Sequence, residues 1–225
     1  MKVSIRNAYE SASKSMPDVR IVIDVFRAST TAIALLDASV EELLVANELD
    51  ILKRYSALGY LVVSEVFDLG IDNSPTLVKK TCSASSKVIL KTTNLTAAIA
   101  SNSFDGTLLV AGFVNLAATV KYIRQHDFER VEILPAGRMS AQQPTMEDSA
   151  CAALFASHLN GVTIEGNYRT DLERLIETKR QQENKASHYL DDIVHAIQED
   201  LSSIVAIVKL VGEGFWKIEK SLDDD

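Results

Sequence analysis

The chain has 225 residues, 47% of them hydrophobic, and a formal net charge of −8 at pH 7. It is long enough to bury a sizeable core in one large domain or two small ones, and too apolar for wholesale disorder. The charge disfavours nucleic acid and anionic membranes as partners, although a local pocket can still take a small anion. No apolar run approaches the roughly 20 residues that span a bilayer. Met1-Lys2-Val3-Ser4-Ile5-Arg6 lacks the apolar core of a signal peptide. Cys82 and Cys151 stand far apart with no Cys-x-x-Cys partner, the pattern of reduced thiols in a cytoplasmic protein.

In chain order, Val3 and Ile5 suggest a first strand, followed by a polar loop to Pro17-Asp18. Residues 21–25 form an apolar, β-branched run that reads as a strand buried on both faces. Asp24 inside it is costly unless it is paired or bound to a metal. Arg27, Ser29, Thr30 and Thr31 follow directly, ahead of the helix-forming residues 32–36. Ser29 or Thr30 suits the N-cap, and a helix start of this kind attracts anions, phosphate above all. Asp24 and Arg27 fit a buried ion pair equally well, and this stretch alone does not choose.

Residues 41–46 predict a strand, 47–58 an amphipathic helix closed by Gly59, and 60–64 a strand that delivers Glu65. Residues 66–80, with Gly70, Asp72, Asn73, Ser74 and Pro75, read as turn chemistry. A regular alternation follows. A strand at 88–90 leads through Lys91-Thr92-Thr93-Asn94 to a helix at 96–101. A strand at 107–111 leads through 112–114 to a helix at 115–125, with Asn115 placed to cap it. A strand at 131–134 leads through a longer loop, 135–145, to a helix at 146–159 with Glu147 and Asp148 in its first turn. This order predicts an α/β fold, a three-layer α/β/α domain around a largely parallel or mixed sheet. The polar loops after the strands should gather at one edge, where such sheets bind ligands.

Residues 170–200 are highly charged and read as one or two surface helices, with Thr170 or Asp171 as cap. The i,i+4 pairs His188/Asp192 and Asp191/His195 have a spacing that can bind metal, but on so charged a helix they read as a solvated face, and His126 and His158 read as structural. Residues 203–211 suit a last strand, Gly212 and Gly214 a turn, 215–218 an edge pairing, and 223–225 an acidic tail. No linker separates two cores. The expected unit is a single domain over 1–225, with a change of texture near Gly161 that would mark lobes at about 1–160 and 161–225.

The loops together supply Asp24, Arg27, Ser29, Thr30, Thr31, Glu65, Asn73, Ser74, Thr92, Thr93, Asn94, Thr96, Asn115, Glu147 and Asp148. Four carboxylates, an arginine and many small neutral donors are what a metal-assisted phosphate site needs. Carboxylates hold a hard cation such as Mg²⁺, a guanidinium clamps phosphate oxygens, and hydroxyls and helix-start N–H groups stabilise developing charge. No histidine falls in these loops to serve as base for a serine or cysteine nucleophile, and no cluster of soft ligands suits zinc.

Ile23-Asp24-Val25-Phe26-Arg27-Ala28-Ser29-Thr30-Thr31 closely resembles the IDVLRASTT signature of the 2-phosphosulfolactate phosphatase family. The resemblance continues in order through Ser64-Glu65 (usually Gly-Glu), Asn73-Ser74-Pro75, Thr92-Thr93-Asn94-Leu95-Thr96 (usually TTNGT) and Gly112-Phe113-Val114-Asn115. It ends at Ala136-Gly137 and Thr145-Met146-Glu147-Asp148 (usually S-x-E-D). It implies a Mg²⁺-dependent phosphatase acting on phosphate esters of small 2-hydroxy acids, a step that serves coenzyme M synthesis in the family. On this reading Asp24, Glu65 and Asp148 are the metal set, and Asp24, Arg27 and Glu147 the catalytic residues, Glu147 moving a proton or placing a water. Ser29, Thr30, Thr31, Asn73, Ser74, Thr92, Thr93, Asn94, Thr96 and Asn115 bind substrate beside Arg27. Soluble enzymes of this size are often homodimers, which is the expectation here.

Three departures motivate an alternative, a catalytically weak relative that only binds a small anionic metabolite. Leu95 replaces a glycine and would strain any φ > 0 conformation, Ser64 replaces another, and the loop at 66–72 is shorter than usual.

Overall fold

The computed structural model describes residues 1–11, 16–65, 70–162, 168–181 and 187–221. The acidic tail and most of the short loop at 66–72 lie outside them.

Strand β2 (Val19–Ile23) is buried at every position, as its uninterrupted apolar run requires. It ends before Asp24, two residues earlier than the sequence suggested. Around it stand β1 (Lys2–Ile5), β8 (Arg130–Pro135) and β7 (Thr107–Ala111), all parallel. A second parallel wing holds β3 (Glu42–Ala46), β6 (Lys87–Lys91), β4 (Leu61–Ser64) and β5 (Ile71–Asp72). The hairpin of β9 (Ala206–Gly212) and β10 (Phe215–Lys220) joins the wings, giving the order β1-β8-β2-β7-β9-β10-β3-β6-β4-β5. Residues 215–218 therefore lie in the middle of the sheet, not at its edge. The segment after residue 160 also supplies two central strands. The junctions β7·β9, β9·β10 and β10·β3 are all antiparallel, so the second wing runs opposite to the first.

The helices are α1 (Ala28–Asp37), α2 (Leu49–Ala57), α3 (Pro75–Thr81), α4 (Asn94–Asn102), α5 (Leu116–Gln125), α6 (Met146–Asn160), α7 (Tyr168–Arg180) and α8 (Tyr189–Ala196). Alternate strand residues face opposite layers. Val22, Val110 and Leu134 of one wing and Val45, Val63 and Leu90 of the other share one core with α1 and α4. On the other face Ile21, Leu109 and Ile133 pack against α5 and α6, while Leu44, Val62 and Ile89 pack against Leu52 of α2. The architecture is α/β in three layers, as expected, with a mixed sheet.

Two helices depart from expectation as well. Residues 75–81 form α3 rather than a turn, capped by Ser74, whose Oγ accepts from the Leu77 N–H at 3.1 Å, with Pro75 opening the helix. Helix α8 is not a solvated surface helix, since Asp192, Ile193 and Ala196 are fully buried in it.

Away from the strand C-termini, Glu132 of β8 bridges two arginines, Arg6 at 3.0 Å and Arg20 at 2.9 Å. Burial opposes its charge, but the two guanidiniums prevail and hold the carboxyl below the usual carboxylate range. A depressed folded-state pKa contributes stability that is complete above the unfolded value, about 4.3, and is lost as pH falls through the folded one. Unfolding titrated from pH 6 to pH 2 should show that acid loss, and Glu132→Gln should be less stable than wild type at pH 6 and flatter below. Parallel curves for the two proteins would show that the bridge contributes nothing to acid stability.

Candidate active site

The chain leaves β2 at Asp24 and turns through Val25, Phe26 and Arg27 into α1. Ser29 and Thr30 do not cap the helix; both face back into this turn. Ser29 Oγ accepts from the Asp24 N–H at 2.9 Å, and Thr30 Oγ1 donates to the Val25 carbonyl at 3.0 Å. Arg27 occupies the cap position without a side-chain cap bond. Ser29, Thr30 and Thr31 are buried, and Thr31 Oγ1 has no partner among the described residues.

This turn aims Asp24 at the start of α4, where its Oδ2 accepts from the Leu95 N–H at 3.0 Å. Asp148, in the first turn of α6, reaches the same turn from the other side. Its Oδ1 accepts from the Val25 N–H and its Oδ2 from the Gly137 N–H, each at 2.8 Å. Gly137 is required there: its φ is +58°, and a Cβ would stand 2.1 Å from the Gln143 carbonyl oxygen. Glu65, just past β4, is held by the Thr93 N–H at 3.1 Å, Thr93 Oγ1 at 2.7 Å and Asn73 Nδ2 at 3.3 Å.

Asp24 and Asp148 are 3% and 2% exposed. Burial raises the Asp24 pKa well above the carboxylate range, and the charges of Asp148 and Glu65 raise it further. Burial likewise lifts Asp148 to about 7, with Glu147 adding and the Val25 and Gly137 donors opposing. Among the described residues no arginine or lysine pairs with Asp24, Glu65 or Asp148. The site is an acid cluster held by backbone and hydroxyl donors, with no side-chain counter-charge.

The other polar loop residues are mostly committed to the scaffold. Thr92 and Thr96 bond reciprocally, each hydroxyl accepting from the other's backbone N–H at 3.2 Å. Asn94 Oδ1 accepts from the Met139 N–H at 3.1 Å. Asn115 uses both ends of its amide, accepting from the Gly112 N–H at 2.9 Å and donating to the Ile204 carbonyl at 3.0 Å. Asn73 keeps a buried Oδ1 without a partner among the described residues. Glu147, 8% exposed, lies beside Asp148 in the first turn of α6.

Arg27 does not pair with Asp24. Its Nη1 donates to Asp72 at 2.9 Å and to Asp192 at 2.6 Å, and its Nη2 to Asp72 at 3.1 Å. Burial opposes the guanidinium charge, but these carboxylates more than offset it and raise its pKa. Asp192 also accepts from Ser74 Oγ at 2.7 Å, Thr76 Oγ1 at 2.6 Å and the Thr76 N–H at 3.2 Å. His188 Nε2 stands 2.8 Å from Asp72, and the Tyr189 ring packs 5.3 Å from the guanidinium. Among the described residues Asp72, His188 and Asp192 are the one metal-like group, with ligand atoms within 4.8 Å of one another. Arg27 already places a cation between the two aspartates, so the cluster is an arginine-centred network. The set Asp24, Glu65 and Asp148 is wider than that spacing.

Residues 6–210 match the family model described as 2-phosphosulpholactate phosphatase. The chain belongs to this family. A probable 2-phosphosulfolactate phosphatase of Pseudothermotoga lettingae is 30% identical over 86% of this chain and 90% of its own length. One of Synechocystis is 30% identical over 85% and 89%, and one of Trichormus variabilis 30% over 69% and 67%.

Within the 2-phosphosulpholactate phosphatase family pattern, the departure at Leu95 is benign. The residue is helical with no positive φ, its side chain is buried in the core, and its N–H still serves Asp24. Sequence reasoning missed Asp72 and Tyr9, and set Asp192 aside as part of a solvated face. The Tyr9 hydroxyl donates to the Asn94 carbonyl at 3.2 Å. Burial and the charges of Asp24 and Asp148 hold its phenol well above the ordinary value. Only the buried Ile193 and Ala196 beside Asp192 hint in the sequence that this helix face turns inward.

Proposed function

We propose that this protein is a Mg²⁺-dependent phosphatase that hydrolyses the phosphate monoester of a small 2-hydroxy acid, 2-phosphosulfolactate or a close analogue. The observation that carries the reading is the pair of buried acids, Asp24 and Asp148, whose charges act on one another and on which Glu65 also bears, with no cationic side chain paired to them among the described residues. Burying such charges unpaired is costly, and an all-oxygen donor set suits a hard divalent cation. A bound Mg²⁺ supplies charge neutralisation and polarises phosphoryl oxygens.

The chain's own residues do the rest. Asp24, Glu65 and Asp148 hold the cation, and the backbone donors at Val25, Gly137 and Leu95 fix the orientation of two of them. Arg27 is aimed by Asp72 and Asp192. Its Nε–H and one Nη2 hydrogen, outside those three bonds, are available to the phosphate. Glu147, beside Asp148, moves a proton or places the attacking water. The protein acts as a cytoplasmic homodimer; its cysteines, buried and unbonded, fit a reducing compartment. Among the described residues no helix is long and apolar enough to cross a membrane.

A panel of phosphorylated 2-hydroxy acids assayed with Mg²⁺ and with chelator tests the proposal. Turnover of at least one ester, lost on chelation, is the expected result. No turnover anywhere, with saturable binding, would replace it with the binding-only alternative. Rapid quench with and without Asp24→Asn then shows whether Asp24 takes the phosphoryl group before water does.

A further inference from the structure

One cleft has Glu147, the chain neighbour of Asp148, in its wall. It has a volume of about 370 Å³ and is lined by Arg138, Thr145, Met146, Glu147, Leu175 and Lys179 among others. Its walls are chain neighbours of the groups that hold Asp148. Arg138 follows Gly137, Thr145 caps the helix that carries Asp148, and Glu147 precedes it. Lys179 lies 5.5 Å from the ring of Phe26, the residue after Val25.

The charges of this cleft are unusual for the site. Neither Arg138 nor Lys179 has a carboxylate partner among the described residues. Among the described residues Lys179 Nζ contacts the Tyr189 hydroxyl, at 3.5 Å, and the Phe26 ring. Arg138 is exposed, and its backbone, not its guanidinium, is bonded to Gln143. Two cations without a carboxylate partner among the described residues line the cleft with one carboxylate, Glu147, the neighbour of Asp148 in α6. Arg27 spends its charge on Asp72 and Asp192, and in this cleft Arg138 and Lys179 are the cations that can meet a second anionic group.

We infer that this cleft receives the non-phosphate anionic group of the substrate, a carboxylate or a sulfonate, and that Arg138 and Lys179 determine specificity for it. The inference rests on the phosphatase reading above and deepens it. The volume lies within the range of small-molecule sites, and a guanidinium reads either oxyanion by paired hydrogen bonds.

Three phosphate esters separate the possibilities: those of 2-propanol (no second anion), lactate (a carboxylate) and sulfolactate (a carboxylate and a sulfonate). Wild type should prefer the charged esters, and which of the two it prefers identifies the group. Arg138→Gln and Lys179→Met should each raise KM for the preferred ester by roughly 10–100-fold with little change in kcat. KM for isopropyl phosphate should not move, and Arg138→Lys should restore part of the loss. Equal effects on all three esters, or none, would overturn the inference. Calorimetry of sulfolactate and lactate, which need no turnover, decides the same question if every ester is inert: binding that Arg138→Gln abolishes upholds the cleft while the phosphatase reading falls. Absent or unaltered binding there overturns the cleft as well.

Discussion

Asp24→Asn should lose turnover by about a thousandfold or more and yet unfold later than wild type in metal-free buffer. The activity loss follows from removing a carboxylate from the set that holds the cation, an interaction worth several kcal/mol at the transition state. The stability gain follows from the same geometry. Asp24 is almost completely buried among Asp148 and Glu65. A neutral amide removes that repulsion and keeps an oxygen for the Leu95 N–H, now 3.0 Å from Oδ2. A gain of roughly 1–3 kcal/mol is expected, of the size seen when buried charges are replaced by neutral groups. Saturating Mg²⁺ should erase it by stabilising the wild type alone. Urea midpoints with and without Mg²⁺ check this. A variant less stable than wild type in metal-free buffer would mean that Asp24 is a structural acid, and the cation site would have to be sought elsewhere.

Asp192→Ala should be the most destabilising single change in the C-terminal segment, by about 3–5 kcal/mol. The side chain is fully buried and takes bonds from Arg27, Ser74 and Thr76. Its loss leaves a largely desolvated guanidinium half-paired and unfastens α8 from α3. For a protein of this size the melting temperature should fall by roughly 6–20 °C. Asp191→Ala, one residue away and exposed, should change stability by less than about 0.5 kcal/mol. Turnover should fall in Asp192→Ala too, because Arg27 loses the partner that aims it. Arg27→Lys should lie between wild type and Arg27→Ala, since an ammonium cannot bridge both aspartates as the planar fork does. Wild-type melting in Asp192→Ala would show that this buried bond network carries no weight.

What was legible in the sequence was local. The apolar runs that became β2, β3, β4, β6, β7 and β8 are short and bounded by turn residues, and Gly59 marks a helix end by the usual capping chemistry. Helix α3 was hidden because Gly70, Asp72 and Asn73 crowd ahead of it, although Ser74-Pro75 is itself an N-cap and first-turn pair. Strand β10 was read as an edge because Lys217 and Glu219, two residues apart, give it one polar face. Its place between β9 and β3 depends on pairings with residues about 170 positions away, which no window along the chain contains. Asp192 was unreadable for the same reason. Its partners Arg27 and Ser74 are 165 and 118 residues distant, so a buried ion pair looked like one more charge on a charged helix. The acids of the cluster were legible because each follows a strand or opens a helix, where sheets of this kind place ligands.

The hairpin at the centre of the sheet also sets the order in which the protein can be made. Residues 2–135 contain both wings, but β7 and β3 have no neighbour on their inner sides until 206–220 emerge from the ribosome. At a synthesis rate of about 5–20 residues per second, the nascent chain carries two unpaired strand edges for several seconds. Those edges invite pairing with another chain, and the sequence separation they must span makes closure slow. The step that completes the sheet is therefore also the step at which chaperone binding competes with aggregation.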